Sequence, residues 1–308
     1  AFIIDHGLGP LWHERTGRAE FHQPRLQAEA LFAAQERALR AIDRALDTAG
    51  IDYAVIKGTA NRLLLYENPA VRACYDIDVL VKPGDRVPAA RALIDAGFVA
   101  HPRTRNISRE LELTRNDAEI DLHWGLLREG RLRTDPTTMM LDRRSRIGDM
   151  WMLSPEDALF VLLVHPVFAK HLEGYQMGLH RVADVLLWLR GQRFDWPLVR
   201  SMIEDSGVCT AAWATLRWSD MLSGSDPPNS LAGLMADLEP GLARRNWIDH
   251  WLRNNLSDRM SDARWVRLLG FSFFLHDGAG DAVRAATGRW QAKRRRKSDL
   301  EAFRSLVD

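Results

Sequence analysis

The chain has 308 residues, 46% of them hydrophobic, and its 42 basic and 41 acidic side chains leave a formal net charge of +1. That length and apolar content support one large domain or two modest ones and exclude a disordered chain, while the near-zero balance excludes a surface that is basic overall. Two widely separated cysteines, Cys74 and Cys209, exclude a disulfide framework and a cysteine zinc site, and they fit a reducing, cytoplasmic setting.

From the N-terminus, Pro24 to Ala49 carries Leu31, Ala34, Ala38, Ile42 and Ala45 on one face and meets Gly50, which predicts one long amphipathic helix. Tyr53-Ala54-Val55-Ile56 predicts a strand that stops at Lys57-Gly58-Thr59, where a helix begins. A strand, a glycine turn and a helix start is a way of presenting backbone N–H groups to phosphate. Asp76-Ile77-Asp78 then leads into Val79-Leu80-Val81, a second strand. Carboxylates at i and i+2 of a strand share a face, roughly 7 Å apart at the backbone, and can converge on a divalent cation. A helix over Pro83 to Ala96 ends at Gly97, and Phe98-Val99 opens another extended segment. Glu110 to Thr114 and Glu119 to Trp124 alternate strictly around Asn116-Asp117, which predicts a hairpin with Glu119, Asp121 and His123 on one face.

At Ser154-Pro155-Glu156-Asp157 the pattern turns to helix, with a cap, a proline in the first turn and an acidic third position. Helices are expected over 155–168, 176–190, 196–206, 209–222, 241–256 and 262–275. The longest apolar run, around Ala158 to Val167, is interrupted by His165-Pro166 and falls short of the roughly 18 to 20 residues of a spanning helix. Three parts are therefore expected: a helical segment over 1–50 packing on the next part, a mixed α/β domain over 51–152, and an all-helical domain over 153–308.

The order of these features, a Gly-Thr turn, Asp76-Ile77-Asp78 and a later Asp121-Leu122-His123-Trp124, resembles the DNA polymerase β-like nucleotidyltransferase superfamily. Together with Tyr66-Glu67-Asn68-Pro69 and Arg72, it is more closely similar to an uncharacterised bacterial nucleotidyltransferase family with a Lys-Gly turn. The motifs lie between residues 53 and 124, and Thr59 stands where the superfamily usually has Gly or Ser. The resemblance implies an α+β fold, with a mixed sheet and flanking helices followed by a helical domain. It also implies transfer of a nucleoside monophosphate from a nucleoside triphosphate to a hydroxyl or phosphate, with release of pyrophosphate. Asp76, Asp78 and Asp121 would be the catalytic, metal-holding acids for two Mg2+ ions, with Mn2+ as a substitute. Lys57, Gly58, Thr59, Arg72 and His123 would meet the nucleotide, with ATP favoured as the abundant donor.

Each further feature has a plainer reading beside the functional one. Arg62 is either a site cation or a solvated helix residue. Arg181 and Asp184, three apart, read as a helix-surface pair or, as the resemblance implies, as a contact with the catalytic half. The spacing of His165, His171 and His180 matches no metal motif, and His276-Asp277 reads as the start of a turn. Lys293 to Lys297 is a dense basic run without an interleaved aromatic platform, so it reads as a solvated helix end rather than a grip on RNA. The acceptor stays open among a small molecule, a peptide and a protein. A non-catalytic nucleotide-sensing or partner-binding module of the toxin–antitoxin type and an RNA-directed transferase are the alternatives; no membrane partner is expected.

Overall fold

The computed structural model describes residues 2–102, 109–170, 178–253 and 272–306. Seven strands form one mixed sheet: β1 Tyr53–Ile56, β2 Asp76–Val81, β3 Val99–Ala100, β4 Glu110–Arg115, β5 Ala118–His123, β6 Ser145–Ile147 and β7 Met150–Met152. Their order is β3-β4-β5-β2-β1-β7-β6. β2 runs parallel to β5 and antiparallel to β1, and β4 and β5 form the expected hairpin. Asn116 in its turn adopts φ +51°, a left-handed conformation that Asn tolerates better than most residues.

The chain divides into two compact units. One holds the sheet and comprises residues 9–129, 135–154 and 287–308; the other is helical and comprises 1–8, 130–134 and 155–286. In the sheet unit, the predicted long helix runs from His22 to Thr48 and packs Ala38, Ile42 and Leu46 against Ile77, Val79, Ile120 and Leu122. Alternation explains why: Ile77 and Val79 of β2 and Ile120 and Leu122 of β5 point to the helix-covered face, so Asp76, Asp78, Asp121 and His123 point to the other. Two features of this unit depart from expectation. The β6–β7 hairpin around Gly148 was not predicted, because strands of three residues are too short to show an alternation. Residues 287–308, expected in the helical domain, belong to the sheet unit: Leu300 and Phe303 join its core, with the Phe303 ring 5.4 Å from Trp124.

The helical unit contains the helices Pro155–Lys170, Gly178–Gly191, Trp196–Ser206, Cys209–Leu222, Asn229–Asp237 and Leu242–Arg253. Most of the expected 262–275 helix and all of His171 lie outside the described residues. Asp195 caps the Trp196–Ser206 helix by accepting from the Leu198 N–H at 3.2 Å, and Gly207 closes it at φ +67°. Asp277 accepts from the N–H groups of Cys209 and Thr210 at 2.9 and 2.8 Å, which gives the following helix its N-terminal anion. Asp184 is fully buried, so it is not the helix-surface residue expected. His276 is also buried, its ring 5.1 Å from Phe168 and its Nδ1 without a hydrogen-bond partner among the described residues. No helix of the described residues is long and apolar enough to cross a membrane.

Candidate active site

The polar face of the sheet gathers the acids that the sequence singled out. In the parallel pairing of β2 and β5, Asp78 lies directly beside Asp121, and Asp76 beside Glu119. Two residues further along β5, on the same face, His123 places its Nε2 2.7 Å from Asp78 Oδ1. Lys57, at the junction of β1 with the Lys57–Leu65 helix, reaches the same oxygen at 2.6 Å and His123 Nε2 at 3.0 Å. Its backbone is left-handed at φ +54°, a conformation that costs a side-chain-bearing residue about 1 kcal/mol or more and that here turns the ammonium back over the sheet.

Asp78, Asp121 and His123 each offer one ligand atom, all within 4.8 Å of one another; they are the one such group among the described residues. Asp76 shares their face but lies outside this set, at the start of β2. Burial works against a charged Asp78, yet Lys57 and His123 outweigh it and hold the carboxyl well below its ordinary value. Burial lifts Asp121 to about 7; His123 opposes the rise, while the negative charges of Asp78, Glu110 and Asp76 add to it. Asp76 is raised as well, by burial and then by Asp78. The Lys57 ammonium is disfavoured by burial but raised overall by Asp78, Asp121 and Asp76. This is an acid cluster short of positive charge, with one lysine serving as its cation. A divalent ion fits that deficit, and two carboxylate oxygens with one imidazole nitrogen form a donor set that could hold one.

Behind the acids lies a buried layer that fixes the start of β2. Thr59 is fully buried, and its Oγ1 donates to the Asp76 carbonyl at 3.0 Å. The hydroxyl expected to face phosphate is thus engaged with the backbone that carries the first acid. Gly58 is not in a left-handed conformation; it is a glycine of close approach. A Cβ there would stand 2.7 Å from Arg72 Nη1 and 2.8 Å from Cys74 Sγ. Arg72 is itself buried and donates to the Ala73 carbonyl at 3.0 Å, so its guanidinium lies under the turn rather than out in solvent.

Arg62 corrects the reading of a solvated helix residue. It is only 1% exposed, packs over Phe32 at 4.8 Å and donates from Nη1 to Gln35 Oε1 at 2.7 Å. Its Nε and Nη2 have no partner among the described residues, and burial lowers its pKa. Gln35, fully buried, completes the layer by donating to the Cys74 carbonyl at 3.2 Å. The sequence reading missed Gln35, although it falls four residues after Leu31 on the helix's apolar face, where a polar residue signals a buried partner. It also missed Glu110, whose Oε2 lies 3.7 Å from His123 Nδ1; the alternation that placed Asp121 on the polar face places the β4 acids there too.

No curated protein matches the chain. The model of a family described as uncharacterised nucleotidyltransferase matches residues 6–223, more than half of the sequence. The chain belongs to that family and is a nucleotidyltransferase.

Proposed function

We propose that the chain catalyses metal-dependent transfer of a nucleoside monophosphate from a nucleoside triphosphate, with ATP as the favoured donor, to a hydroxyl or phosphate of a small molecule, peptide or protein. The acceptor oxygen bonds to the α-phosphorus, the bond to the bridging oxygen breaks, and pyrophosphate leaves. The observation that carries this reading is the side-by-side register of Asp78 and Asp121 with His123 on the same face. Those three residues, with Asp76 beside them, would hold one or two Mg2+ ions, which supply charge neutralisation for the triphosphate and lower the pKa of the attacking hydroxyl.

The protein's own groups have separable tasks. Asp78, kept ionised by Lys57 and His123, is the permanent negative charge of the site. Lys57 would exchange its contact with Asp78 for phosphate oxygens, a move open to a four-carbon ammonium and closed to a rigid group. The start of the Lys57–Leu65 helix offers backbone N–H groups and the positive end of its dipole to the same phosphates. Arg72 would add positive charge from beneath Gly58 without leaving its buried position. Cys74 and Cys209 are both free thiols, which suits a cytoplasmic enzyme with access to nucleoside triphosphates.

The reading is tested by calorimetric titration of each non-hydrolysable nucleoside triphosphate with Mg2+ into the native chain and into Asp76→Ala/Asp78→Ala. Magnesium-dependent binding that disappears in the double variant is expected, and the strongest ligand names the donor. Equal binding by the two proteins would overturn the assignment of these acids.

A further inference from the structure

The Ala279–Arg304 helix carries a feature that nucleotidyl transfer does not use. Within the sheet unit, Trp290 of this helix is 82% exposed, more than any other large hydrophobic side chain described. From 289 to 297 the sequence holds six basic residues, Arg289 and Lys293 to Lys297, and no acid. Positions 290, 293 and 297 fall within one stripe of an α-helix, and both Lys293 and Lys297 are exposed. From Trp290 to Lys297 the stripe spans about 10 Å along the axis, and the exposed Glu301 follows one turn later. Arg295 points elsewhere, pairing with Glu129 at 2.8 Å while its side chain stays 73% exposed. The side chains of Arg289 and Arg294 lie outside the described residues. The sequence alone showed a basic run without an aromatic; the structure puts an open indole in phase with it.

We infer that this stripe is a docking surface for a single-stranded RNA segment, with a base stacked on Trp290 and its phosphates against Lys293 and Lys297. The charge sign selects a polyanion, and the local density of cations is what a chain of net charge +1 otherwise lacks. The form of the aromatic group selects among polyanions. A membrane-surface helix needs a continuous apolar stripe; Val283, seven residues before Trp290 on the same helix, is also exposed, but Lys293 and Lys297 interrupt the stripe beyond Trp290, and Leu300 and Phe303 are buried in the sheet core. A tryptophan that anchors a protein partner is ringed by contacts that exclude water; the exposed residues that follow Trp290 along this stripe are Lys293 and Lys297, and a flat ring beside such cations is the setting for stacking on a base. The surface shares no residue with the acid cluster, so the inference does not depend on which donor or acceptor the enzyme uses.

The test is fluorescence anisotropy of a labelled uridine dodecamer titrated with the full chain at several KCl concentrations. Binding is expected to weaken with salt, with a log–log slope of about −1.4, as the two phosphates met by Lys293 and Lys297 on a single strand would give. Trp290→Ala should weaken it roughly five- to a hundredfold, Lys293→Glu/Lys297→Glu should flatten the slope, and Trp290→Phe should retain most of the affinity. Asp76→Ala/Asp78→Ala should bind the RNA like the native chain, which separates failure here from failure of the nucleotide site. Absence of RNA binding at low salt would overturn the inference. So would equal competition by polyglutamate with no effect of Trp290→Ala, which would indicate an acidic protein partner, or preferential binding to phosphatidylserine vesicles.

Discussion

Adding one methyl group at Gly58 tests whether this glycine serves the backbone or the packing beneath it. Gly58 is the second residue of its helix and has no left-handed φ to protect, so on helix propensity alone alanine should stabilise by up to about 1 kcal/mol. The contacts point the other way, because the new Cβ would lie 2.7 Å from Arg72 Nη1 and 2.8 Å from Cys74 Sγ. Arg72 is 5% exposed and cannot swing into solvent, and Cys74 has only one torsion with which to retreat. Overpacking of this kind costs about 1–3 kcal/mol, so Gly58→Ala should be destabilising by about 1 kcal/mol net. Removing the Cys74 sulfur relieves one of the two clashes. In equilibrium urea denaturation of Gly58→Ala, Cys74→Ala and the double variant, the double should lose about 1 kcal/mol less than the sum of the singles, well beyond the scatter of independent sites. Strict additivity, or a Gly58→Ala protein more stable than the native chain, would refute the packing argument. It would return Gly58 to the role of a clear path for phosphate.

Three other outcomes are expected. Lys57→Met leaves the buried Asp78 carboxylate with His123 as its remaining side-chain partner among the described residues and should cost about 1–3 kcal/mol in chelator-treated protein; Mg2+ should recover part of that loss in the same denaturation experiment, and no recovery would argue against a cation at Asp78. Burial, reinforced by Arg131, pushes His276 down to about 4, so between about pH 6.5 and 4 the unfolded chain binds a proton that the folded one refuses. Stability should therefore fall by about 3 kcal/mol as pH drops through that window, a loss that His276→Gln should abolish; an unchanged pH profile in the variant would count against it. Phe303→Ala should remove about 3–5 kcal/mol from the sheet unit, read by thermal denaturation, and a change under 1 kcal/mol would mean that Phe303 is not part of the core.

Sequence patterning reveals most of the polar face of the sheet because a strand has a period of two. Once Asp76, Asp78 and Asp121 are placed on strands, their common face follows, and the hairpin at Asn116-Asp117 follows from the alternation on either side. Pairing is not written in the same way. Nothing in Asp76-Ile77-Asp78 says that its parallel neighbour is Asp121, because the two are brought together by hydrogen bonds between segments more than forty residues apart. The buried layer of Gln35, Arg62 and Thr59 is harder still. A polar residue on a helix predicts exposure unless its partner is known, and here the partners are supplied by tertiary contacts: Gln35 for Arg62, the Cys74 carbonyl for Gln35 and the Asp76 carbonyl for Thr59.

Residues 287–308 complete a core whose other members are made much earlier, and this sets an order of events during synthesis. The helical unit is contiguous for most of its length, from 155 to 286, and all of its residues are made before the last segment of the sheet unit. The sheet unit must wait for Leu300 and Phe303. A chain cut after residue 286 would hold every residue of the helical unit and a sheet whose Trp124 lacks the Phe303 ring beside it, a species exposed to chaperones and to aggregation. The core around Trp124 is therefore complete only once residues 287–308 are free to reach the sheet.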